Sequence, residues 1–149
     1  MKVSENMTED VYYLHIDADI QQAHDLMATL HCRHIPVAYE GNIVGMVSDR
    51  DILLHAKLEY GELVLPKMKI TEIMKKDIQV CWSDQHISDV AKHMVEQRVD
   101  SLPVFDRERN MLIGIITTTD LLNMLAKIND LDKHDFSSVS VALETLLKV

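Results

Sequence analysis

The chain has little cysteine and little glycine, and both shortages exclude certain kinds of site. Its 149 residues contain two cysteines and four glycines. Cys32 and Cys81 form no CxxC pair, so no spacing of a structural metal site is present and a reducing compartment is expected. Four scattered glycines leave no Gly-rich loop of the kind that cradles phosphates.

Long apolar runs and an excess of positive charge are also missing. No apolar run approaches the length of a membrane span, and the first six residues lack the apolar core of a secretion signal. Lys and Arg total 15 against 24 Asp and Glu, a formal charge of −9. An acidic surface gains nothing from nucleic acid or an anionic membrane. We therefore expect a cytoplasmic protein without either partner.

Catalytic and metal signals are absent as well. The scattered histidines have no nucleophile motif beside them, so no enzymatic activity is predicted. His31, Cys32 and His34 cluster tightly enough to suggest a metal. They lie at a predicted helix end and strand start, where their side chains diverge, so we predict a surface cluster instead.

What the chain does contain is an internal repeat. A shift of 67 residues places Met7 on Met74, Asp17 on Asp84 and Pro36 on Pro103. Beyond a polar turn at residues 106–110 the shift becomes 69, which places Gly45 on Gly114 and Asp51 on Asp120. Two extra residues in a polar turn cost little. The pattern indicates a tandem duplication.

Each copy is predicted to be β-α-β-β-α, an α+β fold. The first copy has a strand at 11–16, a helix, a hairpin of 35–39 with 43–47, and a helix at 49–58. The second has a strand at 78–82, a helix, a hairpin of 102–106 with 111–117, and a helix at 118–128. The predicted buried helix stripes are Ile20, Ala23, Met27 and Leu30, and Ile87, Val90, Ala91, Met94 and Val95.

The predicted boundaries are 1–60 for the first repeat, 61–69 for a linker, 70–128 for the second repeat and 129–149 for the remainder. That remainder begins with a polar break at 129–135. An extra C-terminal helix follows, with apolar Val139, Ala142, Leu143, Leu146 and Leu147. It is either a strut on its own module or a dimer contact.

One motif stands between a buried strand and a helix in both copies. It is Gly45-x-x-Ser48-x-x-Asp51 in the first and Gly114-x-x-Thr117-x-x-Asp120 in the second. Backbone N–H groups at such a step suit an anion, and a carboxylate suits a vicinal diol. The alternative role of either Asp is ordinary capping of the helix.

These motifs, together with His34-Ile35-Pro36-Val37 and Ser101-Leu102-Pro103-Val104, resemble the CBS domain family, named after cystathionine β-synthase. The resemblance covers about residues 2–128. It implies a pseudo-twofold pair of repeats, called a Bateman module, with two clefts that bind AMP, ADP, ATP or S-adenosylmethionine. No cofactor is required for such a regulatory, non-catalytic module.

The resemblance also implies residue roles. Asp51 and Asp120 would hold the ribose diol, and Ser48 and Thr117 would donate to phosphate beside Gly45 and Gly114. The adenine slot would be lined by residues next to each proline and by the first strand, namely Ile35, Pro36, Leu102, Pro103 and Val80.

The two copies depart from each other in charge. Arg33-His34 in the first corresponds to Asp100-Ser101 in the second, and Arg50 corresponds to Thr119. Arg33, His34 and Arg50 are therefore candidate phosphate ligands, the alternative being solvated surface charge. We expect unequal clefts, with the more anionic ligand beside the basic residues.

The resemblance further implies a homodimer that signals to an effector protein on another chain. The alternative function is a structural dimerisation or adaptor module with degenerate clefts.

Overall fold

The computed structural model describes residues 1–132, and their side chains through residue 129. It divides into two compact units. Residues 10–80 form the first-repeat unit. Residues 1–9 and 81–132 form the second-repeat unit. Each unit has its own sheet, helices and core.

In the first-repeat unit a three-stranded sheet has the order β1-β2-β3. Strand β1 pairs parallel with β2, and β2 pairs antiparallel with β3. A separate hairpin, β4–β5, follows the second helix. The elements are β1 (Leu14–His15), α1 (Ile20–Leu30), β2 (His34–Tyr39), β3 (Asn42–Ser48), α2 (Asp49–Leu53), β4 (Lys57–Glu59) and β5 (Glu62–Val64).

The second-repeat unit has the same sheet pattern, with the order β6-β7-β8. Its elements are β6 (Cys81–Trp82), α3 (Ile87–Gln97), β7 (Ser101–Asp106), β8 (Met111–Thr117) and α4 (Thr118–Asp132). Strand β6 is parallel to β7, and β7 is antiparallel to β8. The predicted α+β tandem repeat is confirmed.

The start and the end of helix α1 are set by local hydrogen bonds and backbone conformation. The Asp19 carboxylate accepts from the Gln22 backbone N–H at 2.8 Å, and the Gln22 amide oxygen accepts from the Asp19 N–H at 2.9 Å. This reciprocal cap starts α1, which ends at His31 in the left-handed conformation. The stripe of α1 is buried at Ile20, Ala23 and Met27.

Helix α3 buries a narrower stripe than predicted. Its buried residues are Ile87, Val90 and Met94. Val95 is 78% exposed, so its assignment to the core was wrong. The helix turns 3.6 residues per cycle, which carries Val95 past the edge of the face that packs on the sheet.

The hairpin of the first repeat turns through two residues, and Asn42, outside the predicted strand at 43–47, belongs to β3. Glu40 and Gly41 both have positive φ, 48° and 77°, between the paired residues Tyr39 and Asn42. Positive φ at both central positions defines the tight turn that matches the twist of paired strands.

The predicted helix at 49–58 was wrong in its second half. The chain tightens after Leu53, where the His55 and Ala56 N–H groups bond three residues back, to Ile52 and Leu53. Residues 57–64 then form the β4–β5 hairpin, across part of the predicted linker. Its turn, Tyr60-Gly61, has φ values of 50° and 82°. In the sequence, Gly61 is the residue that indicates this hairpin turn.

Other boundaries also moved. The predicted strands at 11–16 and 78–82 are paired only at Leu14–His15 and Cys81–Trp82. Helix α4 extends through Asp132, so the polar break does not begin at residue 129. The predicted C-terminal helix lies outside the described residues.

The first residues of each repeat, 1–9 and 70–80, pack on the unit of the other repeat, and we call them the exchanged segments. Residue 3 donates to the Gln85 carbonyl at 3.0 Å and its side chain is fully buried in the core of the second-repeat unit. Ile70 does the same in the first-repeat unit, where its N–H donates to the Ala18 carbonyl at 3.0 Å. The contiguous repeats of the sequence are therefore not the compact units of the structure.

These segments lie over the motif glycines. A Cβ on Gly114 would overlap the Met7 sulfur and stand 3.0 Å from the Thr8 carbonyl oxygen. A Cβ on Gly45 would overlap the side chain of Met74. The glycine of the motif is thus required by close packing of the incoming segment.

We expect Gly114→Ala to lower the free energy of unfolding by about 1–3 kcal/mol, because the backbone of Thr8 would have to shift. Gly45→Ala should cost less, since the flexible Met74 side chain can rotate away. Urea unfolding of the two variants beside the parent measures the difference. Equal stability of Gly114→Ala and the parent would contradict this account.

Candidate functional site

The motif of the first-repeat unit closes on itself at the start of α2. The Ser48 N–H donates to Asp51 Oδ2 at 2.9 Å, and the Asp51 N–H donates to Ser48 Oγ at 3.1 Å. Both side chains are half-buried. The capping role considered for Asp51 is therefore real. The cap bond uses Oδ2, so the cap does not occupy the other oxygen, Oδ1, and the carboxylate keeps acceptor capacity.

The motif of the second-repeat unit is more tightly bonded. Asp120 Oδ2 accepts from the Thr117 N–H at 2.8 Å and from the Thr117 hydroxyl at 2.7 Å. The Asp120 N–H donates to Thr117 Oγ1 at 3.2 Å. A third residue enters here, because the Thr8 hydroxyl donates to Asp120 Oδ1 at 3.4 Å. Thr8 comes from the exchanged N-terminal segment.

Sequence reasoning did not identify Thr8 as part of this site. The repeat does show that Thr8 corresponds to Lys75, since a shift of 67 residues places one on the other. The sequence does not show that the segments containing Thr8 and Lys75 each pack on the other repeat's unit.

The two candidate arginines of the first-repeat unit have different surroundings in the structure. Arg33 Nε lies 3.4 Å from Asp49 Oδ2, and the Arg33 side chain is 70% exposed. The Asp49 carboxylate also accepts from the Arg50 backbone N–H at 2.8 Å. Arg50 itself is exposed. Solvent screens such an exposed pair, so Arg33 keeps part of its charge for a ligand.

His34 and Ser101 occupy equivalent places in the sheets. His34 begins β2 opposite Ser48, and Ser101 begins β7 opposite Thr117. His34 is half-buried, and Ser101 is 9% exposed. The pairing places His34 across from Ser48, which carries the motif hydroxyl.

The apolar candidates do not form one surface. Ile35 and Leu102 are 1% and 0% exposed and belong to the cores of their own units, so their side chains do not present a face to a ligand. Pro36 and Pro103 are buried too. Val80 is 38% exposed. Ile35 and Leu102 lie within β2 and β7, directly before the prolines and among consecutive buried residues, whereas Val80 lies just before β6.

Neither thiol is suited to nucleophilic chemistry. Burial raises the pKa of the Cys81 thiol to about 12. Burial also raises the pKa of Cys32, against smaller opposing effects of backbone hydrogen bonds. Both therefore stay protonated near neutral pH.

Neither a metal site nor a membrane-spanning helix is present in the described part of the chain. No three His, Cys, Asp or Glu side chains there converge as a metal site requires. No helix of that part is long and apolar enough to cross a membrane.

Comparison with known proteins points to one family. The CBS domain profile matches residues 3–57 and 70–127, which is more than half of the chain. Homoserine O-acetyltransferase of Methanococcoides burtonii is 33% identical over 124 residues. That match covers 83% of this chain and 24% of the enzyme, so the chain spans about a quarter of that relative's length.

Two further relatives match over most of their length. The CBS domain-containing protein YhcV of Bacillus subtilis is 29% identical over 119 residues, covering 80% of this chain and 81% of that protein. The crystal structure of the CBS domain pair of protein MJ0100, in complex with 5′-methylthioadenosine and S-adenosyl-L-methionine, superposes with a TM-score of 0.73. Its identity is 22%, with 85% of this chain and 97% of that chain covered, so this likeness shows the fold.

The caps make a stability prediction that needs no ligand. We expect Asp51→Ala to lower the free energy of unfolding by about 1 kcal/mol, since one reciprocal cap is lost. Asp120→Ala should lose more, because its carboxylate also accepts from the Thr117 and Thr8 hydroxyls. Asp77→Ala, at an exposed carboxylate, is the control. Thermal unfolding measures all three, and identical losses for Asp77 and Asp120 would rule out the capping role.

Proposed function

The chain belongs to the CBS domain family, and we propose that it is a non-catalytic regulatory module that binds an adenosyl ligand and signals to a partner protein. The observation that carries the proposal is the duplicated carboxylate. Asp51 and Asp120 each stand at the start of a helix, half-buried and oriented by backbone N–H groups. Such orientation prepares an acceptor without cost at the moment of binding.

A ribose diol matches what these carboxylates leave open. The caps use Oδ2 of both carboxylates and leave Oδ1 to other donors, one of which is the Thr8 hydroxyl, 3.4 Å from Asp120 Oδ1. Two adjacent hydroxyls could donate to either oxygen, forming charge-assisted bonds that are stronger than neutral ones. AMP, ADP, ATP and S-adenosylmethionine all carry this diol.

The range of relatives supports regulation more than chemistry. Matching segments occur as a quarter of an acetyltransferase and as most of a small protein in Bacillus subtilis. A segment that accompanies such different lengths of chain suits a sensing role. A ligand can bias a partner only if it binds two states of the module with different affinity.

Ligand binding is tested by thermal shift and calorimetry with AMP, ADP, ATP, S-adenosylmethionine and GTP. A ligand at 100 times its Kd should stabilise the protein by about 2.7 kcal/mol. Asp→Ala at an occupied site removes a charged hydrogen bond, so affinity should fall more than about tenfold. The control is Asp77→Ala.

Two results would reject the proposal. One is the failure of every adenosyl compound to shift the unfolding temperature. The other is unchanged AMP affinity in both Asp51→Ala and Asp120→Ala, which would leave capping as the whole role of the carboxylates.

The second candidate function, a dimerisation module, is favoured by the surface of α4. Leu122, Leu125 and Ile128 are 64%, 52% and 37% exposed. Their spacing of three residues places them along one face of the helix. Apolar residues in such a row favour burial against another protein surface, and a second copy of this chain is our proposal.

We expect the parent to sediment as a dimer at micromolar concentration and Leu122→Glu/Leu125→Glu to sediment as a monomer, because a charge is costly to bury at an apolar contact. The control is Leu58→Glu, a 73% exposed position on β4. Deleting residues 136–149 tests the last segment separately. A monomeric parent would overturn dimerisation and leave ligand binding untouched.

A further inference from the structure

Thr8 and Lys75 hold the same structural position in the two units. The Thr8 N–H and carbonyl bond to the Ile115 carbonyl and N–H, both at 2.9 Å. Lys75 makes the same two bonds with Met46, at 2.9 and 3.0 Å. Ile115 and Met46 each follow the glycine of the motif. Equal register on equivalent strands places the two Cβ atoms on the same side.

The Thr8 side chain shows which group lies on that side of the strand. Its hydroxyl reaches Asp120 Oδ1 at 3.4 Å. Lys75 therefore projects toward the corresponding carboxylate, Asp51. Lys75 is exposed, and within the described side chains it forms no ion pair. Its flexible stem can bring the ammonium group to a ligand bound at Asp51.

The net charge around the two motifs differs in the same direction, although Asp49 opposes it. Four pairs of equivalent positions flank the two motifs, at 33/100, 49/118, 50/119 and 75/8. In the first-repeat unit they hold Arg33, Asp49, Arg50 and Lys75, and in the second Asp100, Thr118, Thr119 and Thr8. Arg33 is engaged with Asp49. Lys75 is thus the cation that enters the first site from the exchanged segment.

We propose that Lys75 selects a phosphorylated adenosyl ligand at the Ser48–Asp51 site, and that Thr8 leaves the Thr117–Asp120 site suited to an uncharged or cationic one. The proposal rests on the adenosyl function proposed above and assigns ligand class to its two sites. The phosphate would meet the Lys75 ammonium while the ribose hydroxyls donate to Asp51. A sulfonium group would be repelled by Lys75 and tolerated beside Thr8.

Ligand binding at each site is measured separately by disabling the other site. Asp120→Ala leaves the first site, and calorimetry then compares AMP with adenosine, which differ only in the phosphate. In this background Lys75→Met should weaken AMP by about two- to fivefold, within the range for a partly exposed charge contact. Adenosine affinity should change by less than about twofold, and the AMP loss should shrink as salt is raised.

The matched control is Lys76→Met, which removes the neighbouring charge from the next position along the chain. It should leave the AMP-to-adenosine ratio unchanged. The reciprocal variant is Thr8→Lys in the Asp51→Ala background, which should strengthen AMP by a similar factor. Lys75→Thr copies the residue of the other unit and replaces Lys75→Met if that variant unfolds.

Four outcomes would overturn the assignment. Equal weakening of AMP and adenosine in Lys75→Met would show a packing role, and an unchanged AMP affinity would show no role. A parent that binds no adenosyl compound would overturn the proposed function and this assignment together. A parent that binds both, with a ratio insensitive to Lys75, would overturn the assignment alone.

Discussion

The main-chain pairing of the exchanged segments is the constraint on which the two sites depend. Residues 8 and 75 each add a short extended stretch to the strand that leads into the motif. That approach is possible only because Gly114 and Gly45 lack a side chain, so Met7 and Met74 can lie directly over them. A glycine that a ligand-based interpretation would assign to phosphate contact is thus explained by packing within the protein.

The motif carboxylates serve the helix and remain available to a ligand. Asp51 and Asp120 satisfy backbone donors at the start of α2 and α4, which would otherwise lack a partner. A reciprocal cap uses mainly one oxygen of the carboxylate, so the second can accept from outside. Capping and binding are therefore compatible roles, and the cap fixes the orientation that binding needs.

Charge distinguishes two sites that the backbone makes nearly identical. Equivalent hydrogen bonds hold Thr8 and Lys75, yet one position is neutral and the other cationic. The ion pair of Arg33 with Asp49 moderates the basic character that the sequence suggested for the first site. A duplicated fold can diverge in this way without any change in its packing, since these positions lie outside both cores.

The sequence by itself determined the duplication, the β-α-β-β-α order and the motif carboxylates, because these follow from periodicity and spacing within one copy. Only the tertiary structure showed that Ile35 and Leu102 are core residues, that α2 ends at Leu53, and that Thr8 and Lys75 join the sites. Those features depend on which segment packs against which sheet. That choice is made by contacts between residues far apart in the chain, from 29 positions for Met46 and Lys75 to 107 for Thr8 and Ile115, which no local pattern of hydrophobicity records.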